Sequence, residues 1–114
     1  MGELAILLRN PPSDDDPTRL GIAGPLTHAT TPILRDYLRR LMDTTAGRPR
    51  IVLDMSCCTG IDVDGLLALA VAQHAAELRG GDLRLTHTPA LIARQVLQHN
   101  FERLLHDSTS DQKG

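Results

Sequence analysis

One stretch, Arg50–Leu78 (RIVLDMSCCTGIDVDGLLALAVAQHAAEL), restricts the possible folds more than any other. It begins with an apolar run from Ile51 to Met55, interrupted only by Asp54. Such a run marks a central strand covered on both faces or flanked closely by neighbours. A short loop carrying Asp62 and Asp64 follows. Gly65 then opens a helix to Leu78 that is apolar almost all round in its first three turns. A helix of that kind is expected to be buried on most sides. Strand, acidic turn and helix N-terminus in this order place the recognition chemistry at the end of the strand, where α/β folds keep their functional loops.

The flanking segments supply the rest of an α/β domain. Glu3–Leu8 is short and apolar and reads as a first strand. Asn10–Pro17 (NPPSDDDP) is a loop by composition, its aspartates solvated. Thr18–Leu26 alternates loosely and stops at Gly-Pro, a second strand that forms an antiparallel hairpin with the first. Thr30-Thr31-Pro32 offers a hydroxyl cap with proline at or near the first helical position. Ile33, Leu34, Tyr37, Leu38, Leu41 and Met42 then form an i, i+3/i+4 stripe, with Arg35, Asp36, Arg39, Arg40 and Asp43 on the solvated face. This helix ends near Ala46-Gly47. After the central strand and its helix, Asp82–His87 alternates as a further strand. Thr88-Pro89 caps a last helix with Leu91, Ile92, Val96 and Leu97 on its apolar face, followed by a cluster of Phe101, Leu104 and Leu105. The order is β-β-α-β-α-β-α. Strands that alternate with helices require right-handed crossovers, hence a mostly parallel central sheet with an N-terminal hairpin and helices packed against it. Residues 1–106 form one domain, and the polar tail 107–114 is expected to be disordered.

Composition narrows the function. The chain has 114 residues and a formal net charge of -2, which gives no electrostatic footprint for nucleic acid. Aromatic residues make up 2%, too few for base-stacking surfaces, so the core rests on Leu, Ile, Val and Ala. No apolar run spans a bilayer, and MGELAILLRN lacks both a signal-peptide pattern and the Ser or Thr of a myristoylation motif. The expected address is cytoplasmic, with no membrane insertion. Cys57 and Cys58 are adjacent; a bond between neighbours is strained, so they read as small buried thiols at a strand end and not as a redox pair.

Catalytic patterns are missing. The five histidines show no metal-ligand spacing, and a zinc site shared by His99 and His106 would need a helix continued through Asn100. Asp62 and Asp64 alternate along a turn with no partner acid or base nearby in sequence, which argues against a paired-carboxylate hydrolase. There is no phosphate-binding loop and no G-x-S-x-G. No enzyme activity, cofactor or metal is expected. Thr59, just before the acidic turn, is an alternative phosphorylation site on paper, but a turn hydroxyl bonded to nearby backbone is the simpler reading.

The motifs GPLT, TPILRDYLRRL and the long run from RIVLDMS to QHN, taken in order, resemble the STAS domain of bacterial anti-sigma factor antagonists over residues 18–100. The resemblance implies a binding module that docks a kinase-type anti-sigma factor, a serine kinase, and that is switched off by phosphorylation at the second Ser of a D-S-S-G turn. Here Asp62 matches the family Asp and Gly65 the family Gly, while Leu66 begins the apolar helix. Val63 replaces the first Ser and Asp64 the phosphoacceptor; Thr27 replaces the Asp of the G-x-L-D turn. Switching at Asp64 by that route is therefore expected to be lost. The module is then either a permanent mimic of the phosphorylated state that binds its kinase weakly or not at all, or a constitutive binder whose partner tolerates Asp. The plainest role of Asp62 and Asp64 is to cap the helix. The implied docking surface is Thr27, His28, Thr59, Asp62, Val63, Asp64, Gly65 and Leu66. An alternative is a structural STAS-like subunit of a membrane lipid-transport or other complex, in which no phosphorylation occurs.

Overall fold

The computed structural model describes residues 3–10, 17–45 and 47–105; the aspartate run, His106 and the 107–114 tail lie outside them. Strands β1 (Ala5–Asn10) and β2 (Thr18–Leu26) form the antiparallel hairpin. Then come α1 (Thr31–Thr44), β3 (Arg50–Ile61), α2 (Val63–Leu78), β4 (Asp82–Thr86), α3 (Ala90–Gln98) and a single 3-10 turn at Glu102–Leu104. The strands lie in the order β1-β2-β3-β4, with β2–β3 and β3–β4 parallel. This is the expected arrangement.

Register explains the core. Leu20 pairs with Leu53 and Leu53 with Leu85; Ile51 pairs with Leu83. All five are at most 1% exposed. Leu34, Leu38 and Met42 of α1, Leu66 and Leu69 of α2, and Ile92 and Val96 of α3 close over that face in one cluster. Each such aliphatic side chain contributes about 1.5–3 kcal/mol by leaving water. The other face of the sheet is mixed, with Leu7 and Val52 beside Asp54, Arg84 and Thr86. There the Arg9 guanidinium lies over Gly21, within 2.7 Å of where a Cβ would stand, and reaches Asp54 Oδ2 at 3.4 Å.

Several boundaries differ from the sequence expectation. Strand β3 does not stop at Met55 but continues to Ile61, pairing with β2 as far as Leu26↔Ile61. Two register shifts, between Gly21/Ala23 and Gly24/Pro25, insert one extra β3 residue each, and Asp54 Oδ1 accepts the Ser56 N–H (3.0 Å) at the first. These bulges scramble the alternation that would have marked a strand. Helix α2 starts at Val63, two residues before Gly65. Thr30 adopts helical dihedrals and makes no side-chain cap; its hydroxyl instead donates to Pro25 O (2.9 Å) and accepts Thr27 N–H (2.9 Å). Pro89, with no hydroxyl, is the cap residue of α3, and Thr88 Oγ1 has no hydrogen-bond partner among the described residues.

The helix faces are also narrower than the sequence stripes. Ile33, Leu91 and Leu97 are 53%, 70% and 52% exposed. Helix α2 is not buried on most sides: Leu67, Val71 and Leu78 are 48%, 65% and 75% exposed. The sheet covers only one side of α2, and α1 lies beside it without closing over it.

Candidate functional site

Because β2 and β3 are parallel neighbours, both end at the same edge of the sheet. The turn after β2 therefore lies beside the N-terminus of α2, a juxtaposition sealed by Asp62 N–H donating to Leu26 O (3.1 Å). The turn is built from threonines. Thr27 O accepts from the N–H groups of Thr30 (3.1 Å) and Thr31 (2.8 Å) and from the Thr31 hydroxyl (2.6 Å).

Asp62 caps α2. Its Oδ1 accepts Gly65 N–H (3.0 Å), and its Oδ2 accepts the N–H of His28 (2.9 Å) from the neighbouring turn. Partial burial pushes its carboxyl up, but donation from the Gly65, His28 and Asp64 N–H groups, with the His28 charge added, holds it below the usual carboxylate range. Asp64 stands in the first turn, where a negative charge gains about 0.3–1 kcal/mol from the helix dipole. Its Oδ2 lies 2.8 Å from His28 Nδ1, with the two side chains 51% and 87% exposed. Asp64 is thus both fixed and reachable.

Gly65 permits the close fit beneath: a Cβ there would stand 2.6 Å from Leu26 O. Of the remaining expected docking residues, Val63 is exposed, Thr27 half-buried and Thr59 exposed on β3, not in a loop. Leu66 is 1% exposed and belongs to the core, so it supports the surface from below and is not part of it. His99 ends α3 as its C-cap, so α3 does not continue past it. Among the described residues, no three His, Cys, Asp or Glu side chains gather to hold a metal. No described helix is long and apolar enough to cross a membrane.

Sequence reasoning missed a groove that runs from this site between α1 and α2. It has a volume of about 680 Å³, and Leu67, Ala68, Val71 and Ala75 of α2 face Leu38 and Met42 of α1 across it. Arg35, Arg39 and Arg79 stand at its rim, with His28 and Asp64 at the end next to the turn. The signal available was the small-residue spacing Ala68, Ala72, Ala75, whose short side chains leave the space between α1 and α2 unfilled; without a polar face on α2 the spacing did not show which side met solvent.

Residues 10–106 match the family profile described as "Mlab, STAS domain". The chain belongs to the STAS domain family. Among solved structures it is similar to the anti-sigma factor antagonist SpoIIAA in its unphosphorylated form (TM-score 0.70, 14% identity, 96% of this chain and 90% of that one). It is also similar to a sulfate transporter family protein from Wolinella succinogenes (TM-score 0.62, 25% identity, 76% and 69%). A third likeness is to the murine anion transporter Slc26a9 (TM-score 0.65, 17% identity, 86% of this chain), of which the chain spans 18%. The same fold thus occurs in anti-sigma factor antagonists and in anion transporters of the Slc26 type. No curated protein matches the sequence.

Proposed function

We propose that this STAS domain is a non-enzymatic cytoplasmic docking module of the anti-sigma factor antagonist kind. Its partner is a kinase-type anti-sigma factor, and docking is constitutive. One observation carries the reading. A half-exposed carboxylate, Asp64, held by His28, stands in the first turn of α2, where the resemblance sets a phosphoacceptor serine. Asp64 has no hydroxyl to receive a phosphate. It carries one charge, against the nearly two of a phosphoserine, and offers fewer acceptor oxygens. The contact surface comprises the Thr27–His28 turn, exposed Val63 and Asp64, and the apolar groove that leads away from them. Interfaces of this type draw most of their affinity from a few central contacts.

Calorimetric titration of the purified domain with the anti-sigma kinase encoded nearest to it tests the reading. Wild type binds, and a Leu67→Glu variant, which keeps the fold, binds at least tenfold more weakly. With labelled ATP, the kinase modifies Asp64→Ser and leaves wild type unlabelled. If the kinase neither binds wild type nor labels Asp64→Ser, the proposal is wrong.

A second reading is favoured by the likeness to two transporter-borne domains: a structural subunit of a membrane-associated lipid-transport or other transport complex. Co-purification of transporter subunits with the tagged domain from detergent-solubilised membranes, and no kinase, would select it.

A further inference from the structure

Strand β1 ends the sheet, so its outer edge has no strand neighbour among the described residues. Little on that edge discourages another strand. From Ala5 to Leu8 it holds no charge and no proline, and Leu7 and Leu8 are each 50% exposed. Edge strands that avoid association carry charges, prolines or bulges; here the one register irregularity falls at the far end, between Leu8 and Asn10.

The charges around β1 select the occupant. Glu3 precedes the strand and Arg9 stands near its end. A second copy running antiparallel, with the two-fold axis at Ile6, sets Ile6 opposite itself, Leu4 opposite Leu8, Ala5 opposite Leu7 and Glu3 opposite Arg9. Leu4 and Ile6 already pack against the core on the helix side. In this register the partner's Leu4 covers Leu8 on that same side, which continues the apolar layer across the axis. On the opposite side a carboxylate meets a guanidinium at both ends, and opposite charges directly across an antiparallel pair favour it. A slip of two residues sets Glu3 against Leu7 or Pro11 and loses both ion pairs. A slip of one turns the two helix layers to opposite faces.

The fold leaves both residues within reach of that register. Arg9 reaches inward over Gly21 to Asp54 through one nitrogen at 3.4 Å; its side chain is 48% exposed, and it meets a partner's Glu3 by swinging outward over the edge. At Gly24 (φ +101), a Cβ would stand 2.1 Å from Glu3 O, so the glycine lets Glu3 and Leu4 lie alongside β2.

We propose that the protein forms a two-fold dimer by pairing β1 with β1 of a second copy, clasped by a Glu3–Arg9 ion pair at each end. Such a contact is isologous and closes on itself.

Sedimentation equilibrium over a range of concentrations, on full chain carrying only a C-terminal tag, reads the result. Wild type shows a reversible monomer–dimer equilibrium that weakens with salt. Glu3→Arg and Arg9→Glu each oppose like charges within a homodimer and weaken it at least tenfold. An equimolar mixture of the two restores opposite charges at both ends and recovers the dimer mass. Thermal melts followed by circular dichroism establish that both variants are folded. A wild-type protein monomeric at every concentration overturns the proposal, as does a dimer indifferent to both charge reversals or a mixture that stays monomeric.

Discussion

Asp64 Oδ2 lies 2.8 Å from His28 Nδ1, tying the first turn of α2 to the turn that follows β2. The two residues are far apart in sequence and meet only because β2 and β3 run parallel and end together. Both side chains are well exposed, so solvent screens the pair. His28→Ala should change unfolding free energy by less than about 1 kcal/mol in urea titration, while weakening partner binding. A much larger loss of stability would mean that the pair is architectural.

Asp62 behaves differently, because its carboxylate is committed to backbone donors on two elements. Asp62→Ala should cost about 0.5–2 kcal/mol, as for removal of a helix cap. Its folded pKa lies below the unfolded value of about 3.9. The stabilisation is therefore present above the unfolded pKa and is lost as pH falls through the folded one. Asp54 adds to the same acid limb: the Ser56 backbone and hydroxyl lower it, with His87 and Arg9 helping, against partial burial. The stability gap between wild type and Asp62→Asn should shrink as pH drops below about 4. A gap constant down to about pH 2 would show that the charge of Asp62 contributes nothing.

The groove and the bulged end of β3 show where sequence stops being informative. Hydrophobic periodicity located α1, β4 and α3, because core-facing residues such as Leu34, Leu38, Leu83 and Ile92 repeat at the spacing of their elements, while β1, β3 and α2 stood out as apolar runs. It placed the acidic pair at a helix start for the same reason. It could not extend β3 through Ser56–Ile61, where two bulges break the alternation and backbone pairing with β2 decides the outcome. Nor could it orient α2, since an all-apolar helix looks the same from every side. The His28–Asp64 contact is a consequence of strand order, which no local pattern encodes.

Gly65 was recognisable as a motif residue, and the structure supplies the reason for it. A methyl group there would meet Leu26 O at 2.6 Å and Ile61 Cγ1 at 3.0 Å. The backbone oxygen cannot yield without moving the end of β2. Gly65→Ala should therefore destabilise by about 1–3 kcal/mol despite the better helix propensity of alanine, and should shift the His28 turn. Chemical denaturation measures the first effect, and amide chemical shifts of residues 26–31 the second. A stabilised variant would show that the helix can back away freely.

The sequence suggests two buried thiols, but strand alternation separates them: Cys57 is exposed and only Cys58 is buried. Burial pushes the Cys58 thiol up, against hydrogen bonds to the Gly60 and Leu26 backbone that lower it. Alkylation of the native protein should modify Cys57 alone, and denaturant should expose the second site. Mass spectrometry after brief labelling checks this. Equal labelling of both thiols in the native state would contradict the β3 register.

Gln73 is a polar side chain in the core, 7% exposed on α2. Its Nε2 donates to Leu83 O (3.0 Å) on β4 and to Arg103 O (2.9 Å) in the 3-10 turn, joining three elements at one amide. An ion pair between Arg103 and Glu77 reinforces the join from the surface. Gln73→Leu keeps the volume but leaves both carbonyls without this donor. Each loss costs about 1–3 kcal/mol when the group stays buried; Leu83 O is the more enclosed of the two. The variant should therefore lose at least the lower figure, with hydrogen exchange accelerating first around Arg103. Unchanged stability and exchange would mean that water replaces the amide, and that Leu104 packing and the Arg103–Glu77 pair suffice to hold the C-terminal turn.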